Sequence, residues 1–389
     1  MLRLNRDTRL AVLTEVLVGS AYGLWQYILP IHIRDLGATP AQVGLALSAS
    51  GVTMLLTHLP MGLMADRLSR RRLMIACCAA PVLPTAMLSL ATRWEHVLVL
   101  LCLVYVQTSM LTVLLSYLAH VNPKEDLSRI FAVVSFGWIS GGLVFRYVGA
   151  RIAAVAGMQV VFVVSALFFL LSVLVISRVA DLPRTGNSGS VDYRPLLNNR
   201  AFRALLAYTL AAVVCLSVGP TLLPNYLEDV AGLDLAAVGR AGTIAGLGAA
   251  VLNLILGRLR GRLGLLIVLL GMLTGVGIVL GMPSGAPLVV GLFLFGCYQV
   301  AFPFIEGATG RLVSLDLAGL AYAVQLSLEG VGFAIAAPLA GLLYEAEPGQ
   351  PLVFSFVAIA VLIPFTASLR LPVSPQSRQT QPDGMPGPR

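Results

Sequence analysis

The stretch Gly62-Leu-Met-Ala-Asp66-Arg67-Leu-Ser-Arg70-Arg71-Arg72 closes one long apolar run and opens the next, setting one acid and four arginines between them. Charge of that density between two runs of hydrocarbon-compatible residues marks a turn at a membrane surface. Short arginine-rich loops stay on the cytoplasmic side. The stretch therefore reads as a cytoplasmic turn joining two transmembrane helices.

Outward from this turn the same alternation continues along the chain. Of 389 residues, 58% are hydrophobic and 11% charged, against about 25% charged in an ordinary soluble protein. Apolar runs of roughly 20 residues, each long enough to cross about 30 Å of hydrocarbon, recur at 9–31, 41–64, 73–91, 96–119, 129–150, 158–177, 201–227, 237–257, 263–282, 286–308, 318–343 and 351–370. An N-terminus on the inside places 21 of the 26 basic residues on the cytoplasmic face, leaving Arg34, Arg93, Arg151 and Arg240 outside and Arg146 within a run. The net charge of +8 is thus an expression of topology, and it makes no case for nucleic-acid binding. Both termini are expected in the cytoplasm, in a multi-pass protein of the cell (inner) membrane. Glu15 interrupts the first run and argues against a cleaved signal peptide.

The chain repeats. Adding 195 to Gly37, Val43, Gly44, Gly51, Gly62 and Arg67 gives Gly232, Val238, Gly239, Gly246, Gly257 and Arg262, the same residue type each time and without a gap. Asp66 maps onto Gly261, so only the first half keeps the acid. The organisation expected is an N-terminal six-helix bundle over 1–180, a Pro, Gly and Ser-rich cytoplasmic linker over 181–200, a C-terminal six-helix bundle over 201–371 and a polar tail over 372–389.

Gly62, Asp66, Arg67, Ser69, Arg70 and Arg71 resemble the signature of the major facilitator superfamily, with Ser69 where that family usually has glycine. The first external turn, Leu36-Gly-Ala-Thr-Pro-Ala-Gln-Val-Gly44, is similar to the family's as well. The resemblance spans residues 9 to 370. It implies an all-α integral membrane protein of twelve transmembrane helices in two pseudo-symmetric six-helix bundles, working as a monomer in the lipid bilayer on a small-molecule substrate, without cofactor or metal. It further implies that helices 1, 4, 7 and 10 line a central cavity. The signature residues Gly62, Asp66, Arg67, Arg70 and Arg71 would then gate it, Asp66 meeting the other half near the start of helix 11. Helix 5, with Ser135-Phe-Gly-Trp-Ile-Ser-Gly-Gly142, partly resembles the glycine-rich motif of drug antiporters but lacks its Gly-Pro pair, and helix 4 lacks the arginine common in efflux members.

Polar groups inside apolar runs must face protein or water. Glu15, Gly19, Tyr22 and Gln26 fall on one face of helix 1, which reads either as a packing seam or as cavity lining. Gln107 in helix 4, Asn225 in helix 7, Gln299 in helix 10 and Glu329 near the middle of helix 11 approach the cavity on the family's map. His58 is either a relay member or a satisfied structural histidine. Arg146 either snorkels to the outer surface or offers a cationic site to an acidic solute. Glu306 lies toward the inner end of helix 10, within reach of water or Arg311.

Other chemistries lack their residues. The single lysine, Lys124, sits in no phosphate loop, HExxH and GxSxG are absent, and the five cysteines form no CxxC pair. A carrier driven by a gradient remains, with Glu15 and Glu329 as the proton-coupling candidates. A charge at a helix centre costs about 2.5 to 3.5 kcal/mol on insertion scales, enough to tie protonation to the choice of conformation. The favoured expectation is proton-coupled efflux of a lipophilic neutral or cationic compound. Uptake by symport, or exchange of an organic anion, is the alternative, and a receptor or membrane-embedded enzyme of the same fold is a third.

Overall fold

The structure is a computed structural model that describes residues 5–122, 127–181, 196, 198–256, 259, 262–313 and 315–368; of residues 66, 67, 116, 119, 120, 127–129, 131, 132 and 315–319 it describes the backbone alone. The described residues are helical and contain no strand. Twelve helical spans are long and apolar enough to cross a membrane. Spans 1–6 are Arg6–Asp35, Pro40–Ala65, Arg70–Leu88, Trp94–Leu115, Val133–Ala156 and Met158–Ile176. Spans 7–12 are Arg200–Asp229, Leu235–Leu256, Arg262–Gly281, Gly285–Leu312, Leu320–Ala346 and Gln350–Ser368. An even number of crossings puts both chain ends on one side, called here the terminal face, with the turns near residues 37, 157, 232 and 285 on the far face.

The repeat is visible in the backbone. The turn after span 1 passes through Gly37 at φ 88° and the turn after span 7 through Gly232 at φ 66°, the left-handed region that a side chain rarely tolerates. Two residues on, Thr39 caps span 2 by accepting from Gln42 N (3.4 Å), in a capping box completed by the Gln42 side chain. Its repeat mate Asp234 caps span 8 by accepting from Ala237 N (2.6 Å).

The two halves meet along two seams, span 2 against span 11 and span 5 against span 8. Small residues make the first seam. A Cβ on Gly51 would collide with the Gly330 carbonyl and the Ala334 amide, one on Gly44 with the Ala337 carbonyl, and one on Gly341 with the Pro40 carbonyl. Toward the terminal face the contact relaxes, and a Cβ on Gly62 would meet only two methyls, of Ala323 at 3.5 Å across the seam and of Thr112 at 3.6 Å. In the second seam one glycine, Gly239, lies against the Ala150 methyl and the Arg146 carbonyl, and side chains make the rest. There Arg146 Nη1 donates to the Gly242 carbonyl (3.0 Å) and Thr243 Oγ1 to the Leu143 carbonyl (3.3 Å). Nearer the terminal face, Phe136 of span 5 and Leu254 and Ile255 of span 8 are exposed, because span 5 has turned its glycines toward span 1. Gly137 lies against the Val12 carbonyl there, and Gly141 against the Val16 carbonyl.

Candidate functional site

Spans 2 and 3 are interrupted in the first half alone, at Ser48 and at Ala80–Pro81, while their counterparts, spans 8 and 9, are continuous. The first and fourth spans are interrupted in both halves, at matching places. Span 1 breaks between Trp25 and Leu29, and span 7 between Thr221 and Leu223, the same point after subtraction of 195. Pro30 and Pro224, each near the start of the second segment, remove an amide that would otherwise continue the ladder. Span 4 narrows to a 3-10 turn over Tyr105–Ser109, and span 10 is broken between Phe295 and Cys297. Discontinuous helices in corresponding positions of two repeats mark the binding region of gradient-driven carriers. The break of span 1 is where Gln26 is exposed, beside Tyr105 at the turn of span 4.

The sequence candidates part company around these breaks. Tyr22 is turned into the N-terminal half: its hydroxyl donates to the Val104 carbonyl (3.3 Å) and its ring packs among Trp25, Tyr105 and Phe169. Gln107 is also buried, its amide against Met110 Sδ at 3.9 Å. Glu15 is buried beside Gly137 of span 5, near Tyr22 and Cys78, and forms no ion pair among the described residues. The stripe on helix 1 is therefore a packing seam at Gly19, pressed on the Trp138 carbonyl, and opens only at Gln26. His58 is buried, and its Nδ1 donates to the Met54 carbonyl four residues back (3.0 Å), the structural role.

In the other half Gln299 is half-buried and Asn225 buried, its Oδ1 accepting no hydrogen bond among the described residues. Glu329 is 4% exposed and ends a relay: the Thr309 hydroxyl donates to Gln325 Oε1, and Gln325 Nε2 donates to Glu329 Oε1 (3.1 Å). Spans 10 and 11 run antiparallel, so one turn beyond the Thr309–Gln325 contact Glu306 of span 10 comes opposite Glu329, close enough for the two carboxyls to interact. Helical spacing on two neighbouring spans, i to i+3 and i to i+4, carries that pairing in the sequence. Reading Glu306 as reaching water or Arg311 overlooked it.

At the signature turn, Arg71 donates through Nε (3.2 Å) and Nη2 (2.5 Å) to the Ser177 carbonyl at the end of span 6, and Ser69 Oγ donates to Asp181 Oδ1 (2.6 Å). The side chains of Asp66 and Arg67 lie outside the described residues, as do those of residues 315–319 at the entry to span 11, which Asp66 is expected to meet; Arg70 keeps interactions of its own. Most of the linker and the whole tail also fall outside them.

Arg146 requires a correction of depth. Span 5 continues to Ala156 instead of ending near 150, so Arg146 is ten residues, about 15 Å, from the far end. It does not snorkel outward; its guanidinium crosses to span 8. The far face carries a cluster that the sequence left as separate turn residues. Arg34 Nη1 donates to Asp229 Oδ1 (2.7 Å), Arg34 Nη2 to Glu228 Oε2 (2.5 Å), and Tyr344 Oη to Asp229 Oδ2 (2.6 Å). Arg34 and Asp229 are 195 apart. They are repeat mates that face each other across the pseudo-dyad, one cationic and one anionic.

Fold and interrupted spans together define a membrane carrier built from two six-span repeats. A family model for the Major Facilitator Superfamily matches residues 11–305 and 204–388, and the chain belongs to that family. It is 23% identical over 389 residues to the multidrug resistance protein MdtG of Yersinia enterocolitica, covering 94% of each chain. It is also 25% identical over 200 residues to the multi-drug resistance efflux pump PmrA of Streptococcus pneumoniae, an alignment that spans about half of each chain, 50% of this one and 48% of that one. Among solved structures, the nucleoside transporter NupG (D323A mutant) superposes with a TM-score of 0.77 at 15% identity, covering 93% of this chain and 99% of that one. The human organic anion transporter MFSD10 superposes at 0.72 and 16%, covering 93% and 100%. At such identities these structures show the shared fold alone.

Proposed function

We propose that this transporter is a secondary active carrier that exports a lipophilic neutral or cationic compound in exchange for protons. The observation that carries the reading is a pair of buried acids, Glu15 in one half and Glu329 in the other, neither with a basic partner among the described residues. Carboxyls kept in hydrocarbon without a countercharge are functional candidates by default, and the efflux names of the relatives agree with export. Gln26, Gln299 and Asn225 stand for the compound's polar contacts, while Tyr22 and Gln107 shape the wall behind them. Residues 1–180 and 201–371 act as the two rocking units, joined by 181–200. The terminal face lies in the cytoplasm, where Gly62, Asp66, Arg67, Arg70 and Arg71 form the inner gate, and the carrier works as a monomer in the cell membrane.

The test is a panel of compounds on vesicles reconstituted with the full chain, with an imposed pH gradient and a proton-sensitive dye. Compound-dependent proton movement is expected from the wild type and its loss from Glu15→Gln, with compound binding retained. Wild-type proton movement in that variant contradicts the assignment. The second reading, transport of an organic anion, is favoured by one feature, the guanidinium of Arg146 without a carboxylate partner among the described residues.

A further inference from the structure

The repeat supplies a control for Arg146. Its mate is Gly341, and the two occupy the same place in their seams: Gly341 Cα stands 3.1 Å from a Cβ built on Gly44, and the Arg146 carbonyl 3.1 Å from one built on Gly239, the mate of Gly44. The seam between spans 2 and 11 closes with no charge at that position. Packing alone therefore does not call for an arginine. Yet the seam between spans 5 and 8 holds one nearly three turns below the far end of span 5.

Span 8 is shaped around it. Gly246 leaves room for the guanidinium, since a Cβ there would lie 2.8 Å from Arg146 Nη1, and Gly242 one turn away leaves room for the Tyr27 ring, whose Cδ1 would stand 2.5 Å from a Cβ. A guanidinium has five N–H donors. Among the described residues Arg146 uses one, to the neutral Gly242 carbonyl, and it pairs with no acid. The Tyr27 hydroxyl beside it is buried and has no hydrogen-bond partner among the described residues. A half-buried cation with donors to spare and an unpartnered phenol, held together by two glycines, have one complement: an anion with at least two acceptor oxygens.

We propose that Arg146 and Tyr27, set against Gly242 and Gly246, bind the carboxylate or phosphate headgroup of an amphiphile at the seam between spans 5 and 8. The guanidinium supplies charge and a forked pair of donors, the phenol a third donor, and the exposed apolar residues Phe136 and Leu247 flank the seam for the alkyl chain. The inference holds whatever the direction or coupling of transport, because it concerns occupancy and not flux.

The test uses the purified full chain in phosphatidylcholine nanodiscs and measures saturable binding of radiolabelled dodecanoate and dodecyl phosphate, with dodecyltrimethylammonium as the charge control. Arg146→Gln is expected to weaken anion binding by about tenfold or more, the value of a lost charged hydrogen bond. Tyr27→Phe, which deletes only the hydroxyl, should weaken it several-fold, and Arg146→Lys, which keeps the charge but loses the fork, should fall between. Arg151→Gln, at an exposed arginine of the same span, should leave it unchanged. Repeating the titration in discs containing phosphatidylglycerol distinguishes the sources. Competition, with phosphatidylglycerol retained by the wild type and lost from Arg146→Gln in native mass spectrometry, identifies a lipid headgroup; undiminished dodecanoate binding identifies a free amphiphilic solute. Equal affinity of wild type and Arg146→Gln for the anions, a loss of ammonium-probe binding in Arg146→Gln as large as that of the anions, or a Tyr27→Phe variant indistinguishable from wild type would each overturn the proposal.

Discussion

The two seams between the halves began as copies of one another and have become different devices. Between spans 2 and 11, backbone lies on backbone at Gly44, Gly51, Gly330 and Gly341, so the contact has no slack and little to repack. Between spans 5 and 8, one glycine, Gly239, still lies against the backbone of span 5 at Arg146, but the rest of the join is made by the ends of side chains, Arg146 and Thr243, and is confined to the half nearer the far face. A seam of glycines tolerates rotation about itself because nothing interdigitates, whereas a seam of hydrogen bonds is either made or broken. On the proposed rocking of the two halves, the first serves as the pivot and the second, with the Arg34 cluster, as part of the closure on the far side.

The largest expected effect comes from filling each seam in turn. Gly51→Leu drives a side chain into the Gly330 carbonyl and the Ala334 amide, neither of which can move without shifting span 11. It should cost about 3 kcal/mol or more, the upper end for overpacking, seen as lost thermal stability in detergent. Gly246→Leu meets the end of a flexible arginine and should cost less than half as much. Equal losses would mean that the seams are mechanically equivalent.

A smaller effect is expected at the far face. Arg34→Asp replaces the pairs with Glu228 and Asp229 by repulsion, and since all three groups are partly solvated the closed state should lose only about 1 kcal/mol. That is roughly a fivefold shift in population toward the state open on the far side. Because the partners are repeat mates, Arg34→Asp with Asp229→Arg exchanges the two residues across the pseudo-dyad and should restore most of the closed population, measured by labelling of a cysteine on the far face. A double variant that stays open would remove the pair from the closure.

The turns preserved by the repeat should respond alike. Gly37→Ala and Gly232→Ala each force a side chain into the left-handed region, at about 1 to 2 kcal/mol, and the two losses in thermal stability should agree. A large difference would show that the halves fold as unequal units.

How much of this was legible depended on whether the cause was local. The spans were, since each is an apolar run ended by charge, and so was the first external turn around Gly37, while the cap at Thr39 emerged from the structure. Span 5 was cut short because Arg151 reads as the start of an outer loop, when the helix carries it exposed and continues to Ala156; the same error misplaced Arg146. The inward turn of Tyr22 follows from the ring cluster with Tyr105 and Phe169, contacts across spans that helical spacing on one strand of sequence does not specify. The far-face cluster had a signal that went unused. The offset of 195 that exposes the repeat also joins Arg34 to Asp229, and repeat mates near a pseudo-dyad are the residues brought face to face.

Rocking of two homologous units is measured most directly with two spin-label pairs placed at repeat mates, in a chain whose five native cysteines have been replaced. Met87→Cys with Met282→Cys reports the far face, and Leu68→Cys with Leu263→Cys the terminal face, all four positions being exposed. On adding a transported compound and a pH gradient, the far-face distance should lengthen as the terminal-face distance shortens. Two distances that grow together, as in a pore, or that stay fixed while flux proceeds, would contradict the account.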